Sequence, residues 1–440
     1  MNTASRPVVL IHGYSAQGAD FQGWREIIPA DTFHVHIGDY VSLTNEVTIK
    51  DIAEGFERAL DGAQLTHQPF DAIVHSTGML VLRCWLTTFP QRANRLKHLI
   101  GLAPATNGSP LAHKGRGWLG AVFKGNKKRG PDFLEAGDKI LDALELGSYF
   151  TWDLAGKDLF GETVYGPTAK TPYVFVFCGT DDYGGFRELV NEPGTDGTVR
   201  WAGCALNSRK ITLDLTRPGP IEERATLLTN NNVSEIPLVL VDELNHETIV
   251  SKPTAALRKL VLEALNVNDE QAYASWCEDA KRASTPPKDA YQQFVLRLVD
   301  ERGDPIPDYH VQCCSVDGDD WRALETFDED VHAYAADTSL RNFHVKIHDD
   351  LLSARRLGII LTASSGTPLV QYDGFGDDDQ RGTRIGDAPM AATQIRLSFP
   401  PHLKAGTQQA DFFCPFTTTF IELKVNREPV LDKVFSFLKL

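Results

Sequence analysis

The sequence predicts an α/β domain with a mostly parallel sheet, followed by an all-β, sandwich-like domain. Short β-branched runs alternate with helix-period segments from Pro7 to about Ala264, which is typical of parallel strands joined by crossover helices. Strands without long helices follow from about residue 290. The length of 440 residues also exceeds what one hydrophobic core usually supports. We therefore place the domains at 1–268 and 290–440, with a linker at 269–289.

Composition and charge exclude several classes of protein. The 44 Lys and Arg against 59 Asp and Glu give a net charge of −15, so we expect no nucleic-acid partner. No apolar run approaches the roughly 20 residues of a transmembrane helix, and the first residues lack the features of a signal peptide. The seven cysteines fit neither a disulfide framework nor metal ligation. We expect a cytoplasmic protein with reduced thiols, no metal and no cofactor.

Six strands are predicted in the first domain, and a long insertion separates the fourth from the fifth. The strands are 7–12, 33–37, 70–75, 96–102, 172–178 and 236–242. The insertion, residues 104–171, lies where a lid or cap would cover a site at the strand ends. Its apolar members are candidates for an acyl-chain pocket: Trp118, Leu119, Val122, Phe123, Phe133, Leu134, Ile140, Leu141, Leu144, Tyr149, Phe150 and Trp152. The helical spacing of Phe133, Ile140 and Leu144 favours the core instead.

Charged clusters in the insertion and in the second domain are candidates for ligand contact, and each also has a purely structural interpretation. The basic residues Lys124, Lys127, Lys128 and Arg129 are compatible with peripheral contact to an anionic lipid surface, and a solvated loop is the alternative. The acidic runs at 317–320 and 377–379 lack the spacing of a calcium loop, so we predict turns. Nothing in the sequence identifies a protein partner of the second domain.

Ser76 is the strongest candidate for a nucleophile. The predicted strand 70–75 ends at His75, and an apolar helical segment begins within two residues, so Ser76 lies on a tight strand-to-helix turn. Such a turn exposes the hydroxyl above the sheet and needs a small neighbour, which Gly78 supplies. Val74 stands where the usual G-x-S-x-G motif has its first glycine. Helix capping by Ser76 is the alternative.

Four segments of residues 7–264 together resemble α/β-hydrolases of the lipase type. They are Leu10-Ile11-His12-Gly13, His75-Ser76-Thr77-Gly78, Asp196-Gly197-Thr198-Val199 and Asn245-His246-Glu247. The segment 102–112 also looks like a loop of those lipases. Bacterial triacylglycerol lipases, lecithin-acyltransferase-like lipases and PGAP1-like lipases are the most similar groups. The resemblance does not extend beyond about residue 290.

The resemblance implies an oxyanion hole and a catalytic triad. The loop after His12-Gly13 would supply the backbone N–H of Tyr14, beside the N–H of Thr77 after the nucleophile. A serine hydroxyl needs a base and a carboxylate that orients it, in the order Ser, Asp, His for this fold. Asp196 and His246 fill these positions. Asp181 and Asp182 are alternative acids because they follow another predicted strand.

The expected function is hydrolysis of a carboxylic ester, with a lipid or a phospholipid as the substrate. Two alternatives remain at this point. The first is an inactive hydrolase scaffold that recognises a partner. The second is an antibacterial lipase effector that is delivered without a signal peptide. The sequence gives neither the acyl length nor the ester bond that is cleaved.

Overall fold

A computed structural model describes most of the chain. The described residues are 6–28, 35–112, 137–161, 164–166, 171–184, 191–229, 236–386, 391–406, 408–436 and 438. Residues 113–136 of the insertion, which include the candidates Trp118 to Leu134 and the basic residues 124–129, lie outside these ranges.

Two sets of elements make up the described fold. The strands are β1 (Val8–Ile11), β2 (Val35–Gly38), β3 (Phe70–His75), β4 (Leu96–Leu102), β5 (Tyr173–Gly179), β6 (Ser208–Asp214), β7 (Ala225–Thr229), β8 (Leu238–Val241), β9 (Ala290–Asp300), β10 (Tyr309–Asp317), β11 (Asp320–Ala323), β12 (Val331–Ala333), β13 (Leu340–Ile347), β14 (Leu357–Ala363), β15 (Val370–Asp373), β16 (Thr383–Ile385), β17 (Ala392–Phe399), β18 (His402–Ala405), β19 (Gln408–Asp411) and β20 (Thr418–Pro429). The helices are α1 (Gln22–Ile27), α2 (Ile49–Gly62), α3 (Gly78–Thr88), α4 (Pro90–Ala93), α5 (Asp138–Leu144), α6 (Tyr149–Asp158), α7 (Trp201–Cys204), α8 (Ile221–Arg224), α9 (Thr248–Ser251), α10 (Ala255–Ala264), α11 (Glu270–Ala283), α12 (Glu325–Asp328) and α13 (Asp349–Ser353).

The chain divides into two compact units, and the first contains a parallel sheet. This unit comprises residues 1–207 and 230–288, and its six strands run in the order β2-β1-β3-β4-β5-β8. Every neighbouring pair in this sheet is parallel. The central strands are apolar and buried, as expected where helices cover both faces. Because the strands are parallel, the loops after β1, β3, β5 and β8 all leave the same edge.

The described part of the insertion is packed into the first unit. In α5, Ile140 and Leu144 are buried, as their helical spacing predicted for core residues, and Leu141 is buried as well. Asp158 at the end of α6 accepts two hydrogen bonds from Arg83 of α3, at 2.7 and 2.9 Å. Tyr165 also donates to Asp158, so this buried carboxylate is paired on both oxygens. The ion pair fastens α6 to the helix that follows Ser76.

The second unit is built from two large β-sheets around one core, with a small two-stranded sheet of β18 and β19. It comprises residues 208–229 and 289–440, with the sheet orders β11-β10-β14-β17-β16 and β12-β13-β9-β20-β6-β7. Residues of both sheets, such as Phe294 and Leu296 from one and Ile359 and Leu397 from the other, share a single buried cluster. This face-to-face arrangement confirms the predicted sandwich-like β domain.

The division into units differs from the predicted boundaries in two places. Residues 208–229 were assigned to the catalytic domain, but β6 pairs with β20 and therefore belongs to the second sheet system. The predicted linker 269–289 contains α11, which packs in the first unit: Tyr273 donates to the carbonyl of Val174, and Trp276 to that of Leu260. The pairing of β6 with β20 is long-range and is not encoded by local periodicity. Helix α11 carries local signals instead, since Asp269 caps its first turn and Tyr273 and Trp276 are buried at helical spacing.

Among the described residues, none of the helices has the length and apolar character needed to cross a membrane.

Candidate active site

Ser76 occupies a strained turn at the end of β3. Its φ of +52° is in the left-handed region, which costs an ordinary residue on the order of 1–2 kcal/mol. Neighbouring backbone holds it there: its N–H donates to the carbonyl of Leu102, and its carbonyl accepts from Ala105 and Met79. This conformation is the one expected of a nucleophile elbow.

Two glycines allow the end of β1 to lie against this turn. A Cβ on Gly13 would be 2.8 Å from Cβ of Ser76. A Cβ on Gly78 would be 2.7 Å from the carbonyl oxygen of Ile11 and 2.9 Å from that of His12. All three distances are shorter than real Cβ atoms show. The two glycines therefore fix the distance between the loop that carries Tyr14 and the turn that carries Ser76.

Val74 replaces the first glycine of the usual motif, and it faces a glycine on the neighbouring strand β4. It lies opposite Gly101 of β4 in the sheet register and is fully buried. A Cβ on Gly101 would lie 2.9 Å from Cε of Met79 in α3. The space beside Gly101 is thus occupied by the end of the Met79 side chain.

Asp196 is buried in a turn that supplies its carboxylate with backbone donors. The N–H groups of Thr198 and Val199 donate to Oδ1 at 3.0 and 2.9 Å. Gly197 has a φ of +91°, and a Cβ there would be 2.7 Å from the ring of Tyr183. The Asp-Gly-Thr-Val sequence therefore forms a tight turn around the acid, with glycine at the position that needs it.

His246 is fixed to the rest of the site at three atoms. Its Nδ1–H donates to Oδ2 of Asp196 at 2.9 Å, and its backbone N–H donates to the carbonyl of Asp196 at 3.0 Å. Its own carbonyl accepts from Nε2–H of His75 at 2.9 Å. Asn245 stabilises the same loop because its Oδ1 accepts from the N–H groups of Glu247 and Thr248 at the start of α9.

His75 is the link between the serine turn and the histidine loop. It precedes Ser76 in the chain, and its ring centroid lies 4.6 Å from that of His246. Burial, together with the proximity of His246, holds the pKa of His75 well below 6.5, so the ring is neutral at pH 7. A neutral ring donates from Nε2 without placing a positive charge beside His246.

His12 shapes the loop after β1. Its Nδ1–H donates to the carbonyl of Gly13 at 2.7 Å, and its Nε2 accepts from the N–H of Tyr40 at 3.1 Å. Burial lowers the pKa of His12, and its ring stacks on Tyr40 at 4.0 Å. Asp39 lies 3.0 Å from Nε2. In the neutral ring Nε2 is an acceptor. It therefore accepts the hydrogen bond from Tyr40 and forms no ion pair with Asp39.

The alternative acids, Asp181 and Asp182, are not the carboxylates that bind Nδ1 of His246. Asp181 and Asp182 follow β5 and are exposed. Burial, with the nearby charges of Asp196 and Asp181, raises the pKa of Asp182. The carboxylate in contact with His246 is that of Asp196.

Tyr14 and Thr77, the predicted oxyanion donors, are the chain neighbours of Gly13 and Ser76. Tyr14 follows Gly13, whose Cα faces Ser76, and Thr77 is the N-cap of α3. The N-terminus of this 11-residue helix carries a partial positive charge close to Ser76.

Local sequence did not reveal which group the side chain of His75 would contact. His75 is next to Ser76, so its position gave a signal, but its partner lies 171 residues away. Among the described residues, no group of three or more His, Cys, Asp and Glu side chains has the arrangement of a metal site.

Comparison with known proteins identifies the fold. No protein-family model and no curated protein sequence matches the chain. Among solved structures, phospholipase PlaB from Legionella pneumophila is similar over 99% of this chain and 96% of its own, with 21% identity and a TM-score of 0.78. PlaB in complex with thio-NAD gives a TM-score of 0.76 at 21% identity, with coverage of 99% of this chain and 96% of that chain.

Lipase BlEst2 from Bacillus licheniformis, in its mature form, is similar over 60% of this chain and 93% of its own, with 15% identity and a TM-score of 0.42. The likeness to PlaB, together with the parallel sheet of the first unit, shows that the chain has an α/β-hydrolase fold with a C-terminal β-rich part, which confirms the predicted fold class.

Proposed function

We propose that this chain is a serine hydrolase that cleaves carboxylic esters of lipids. Ser76 is the nucleophile, His246 the base and Asp196 the acid. The observation that carries the proposal is the buried bond of 2.9 Å between Nδ1 of His246 and Asp196, on a loop held by the residue before Ser76. A histidine oriented by a carboxylate beside a strained serine has the parts that nucleophilic catalysis requires.

The mechanism follows from these roles. Nε2 of His246 removes the proton of Ser76 as its Oγ attacks the ester carbonyl, and Asp196 stabilises the imidazolium. The N–H groups of Tyr14 and Thr77 donate to the oxyanion. His246 then returns the proton to the leaving alcohol, which departs and leaves an acyl-enzyme. Water, deprotonated by His246, attacks the acyl group and regenerates Ser76.

A lipid ester is the favoured substrate class. The structure that resembles this chain over its full length is that of a phospholipase, so a phospholipid is the first substrate to test. The apolar residues of the predicted insertion are consistent with an acyl chain. The described part of the insertion supplies Tyr149, which is 52% exposed, whereas Ile140 and Leu141 are committed to the core.

Replacement of the nucleophile tests the proposal directly. We expect Ser76→Ala to reduce kcat/KM for p-nitrophenyl esters and phosphatidylcholine by a factor on the order of 10⁶, with thermal unfolding unchanged to within a few degrees. Ser275→Ala, an exposed position on α11, is the matched control and should retain full activity.

A fluorophosphonate probe gives an independent readout. It should label the wild-type protein and Ser275→Ala at Ser76, and should not label Ser76→Ala. Equal hydrolysis by wild type and Ser76→Ala would contradict the proposal. Folded wild-type protein that is neither labelled nor active would favour an inactive scaffold instead.

A further inference from the structure

Two buried thiols form a chain that ends at Asp196. Cys178, near the end of β5, and Cys204, at the end of α7, are both fully buried, and their Sγ atoms are 3.5 Å apart. Sγ of Cys178 lies 3.7 Å from Oδ2 of Asp196. This is the same carboxylate oxygen that accepts the Nδ1–H of His246.

The carboxylate of Asp196 determines the direction of the hydrogen bonds from Cys178 to Asp196 and from Cys204 to Cys178. An ionised carboxylate only accepts, so the S–H of Cys178 points to Asp196. The sulfur of Cys178 is then left with lone pairs, and Cys204 donates its S–H to them. Burial raises the pKa of Cys178 well above 9.0, with further contributions from Cys204 and Asp196. Burial likewise raises the pKa of Cys204, so both thiols keep their protons at neutral pH.

We infer that Cys178 is a positioning residue for Asp196, and that Cys204 orients its thiol. The inference rests on the proposed triad. With Cys178, the carboxylate has two backbone donors on Oδ1 and two side-chain donors on Oδ2. The thiol fixes the plane of the carboxylate from the side of the sheet. It also compensates part of the negative charge that would otherwise act on the imidazolium of His246.

Packing alone would require a small apolar side chain at position 178. Packing does not explain why Sγ of Cys178 lies within hydrogen-bonding distance of a buried carboxylate, or why Sγ of Cys204 lies next to Sγ of Cys178. Redox chemistry is disfavoured because the thiolate is the reactive species, and both thiols are buried and protonated. Positioning and packing differ in one measurable respect: only a donor to Asp196 affects the protonation of His246.

The test compares four variants, Cys178→Ser, Cys178→Ala, Cys178→Val and Cys204→Ala. The first measurement is the pH dependence of kcat/KM for a p-nitrophenyl ester. The second is the pH titration of His246 by NMR with ¹³C-labelled histidine, assigned by its loss in His246→Asn. The NMR titration reads the site even if the ester assay shows no activity, so failure of the proposed function is recognised separately.

Loss of the donor in Cys178→Ala should move both the acid limb of the profile and the NMR midpoint upward by about 0.5 pH unit, since a less compensated carboxylate attracts the imidazolium more strongly. Cys178→Ser retains a donor and should remain at or below the wild-type midpoint. Cys204→Ala should give a smaller upward shift than Cys178→Ala.

Cys178→Val fills the space without a donor and replaces Cys178→Ala if that variant does not fold. The inference is overturned if the donor-free variants and Cys178→Ser all titrate with the wild-type midpoint.

Discussion

The two units differ in where their strands end, and this difference accounts for where the candidate active site lies. In the first unit every sheet pair is parallel, so the loops after β1, β3 and β8, which carry Tyr14, Ser76 and His246, leave the same edge of the sheet. In the second unit most pairs are antiparallel, and successive strand ends alternate between the two edges. The acidic side chains between those strands bind backbone groups: Asp377 accepts a hydrogen bond from the N–H of Ser398, and Asp379 accepts one from the N–H of Gly219.

The comparison predicts that changes at the strand ends of the first unit affect catalysis, whereas changes in the core of the second unit affect stability. The predictions below run from the largest expected effect to the smallest.

Asp196→Asn should have the largest effect among them. An amide cannot stabilise the imidazolium and favours the wrong tautomer of His246, so we expect a loss on the order of 10⁴ in kcat with the fold retained. Asp182→Asn is the matched control, because it is the alternative acid at an exposed position, and should change kcat less than threefold. The measurement is steady-state ester hydrolysis. Equal losses in both variants would show that the acid is wrongly assigned.

Gly78→Ala tests the close approach between the end of β1 and the serine turn. The new Cβ would press on the carbonyl oxygens of Ile11 and His12, displacing the loop that carries Tyr14. We expect kcat to fall by about 10²–10³, the usual effect of losing one oxyanion donor.

Gly55→Ala is the control for this change. Position 55 lies in α2 with open space around its Cα, so the variant should keep full activity and gain about 0.5–1 kcal/mol in the free energy of unfolding. Kinetics and urea denaturation measure both variants. Wild-type activity in Gly78→Ala would mean that the loop has freedom to move without loss of function.

Phe294→Ala should act on stability instead. Phe294 is fully buried in the core of the second unit, where its ring stacks on Phe412 at a centroid distance of 5.2 Å. We expect the free energy of unfolding to fall by about 3–5 kcal/mol, because the cavity adds to the lost burial. Leu352→Ala, at a position that is 52% exposed, should change it by less than about 0.5 kcal/mol. At 25 °C a folded Phe294→Ala variant should retain kcat within about twofold; a larger loss would contradict the separation of roles.

The smallest effect concerns pH. Folding lowers the pKa of His75 below 6.5, so the unfolded chain binds the extra proton between that lowered value and 6.5. Stability therefore falls as pH drops through 6.5, by up to about 1.4 kcal/mol per pH unit for this group.

His75→Gln keeps a donor for the carbonyl of His246 but does not titrate. The loss of stability between pH 7 and pH 5, measured by urea denaturation at each pH, should be smaller in His75→Gln by about 1 kcal/mol or more. An identical pH dependence in both proteins would mean that His75 does not contribute.

The sequence predicted the elements of the first unit well because its signals are local. Apolar runs ending in His-Gly and His-Ser-Thr-Gly indicated β1, β3 and the turns after them, and the resemblance indicated Asp196 and His246 as their partners. The attachment of β6 to β20 was not predictable in the same way, since 210 residues separate the paired strands and either could pair elsewhere. The contact between Cys178 and Asp196 was missed for the same reason: it depends on how a loop folds back over a strand end.

The buried pair of Arg83 and Asp158 limits how the insertion can move. Any opening that carried α6 away would leave a guanidinium and a carboxylate uncompensated in the interior, at a cost of several kcal/mol. Residues 149–158 are therefore held against the helix that follows Ser76.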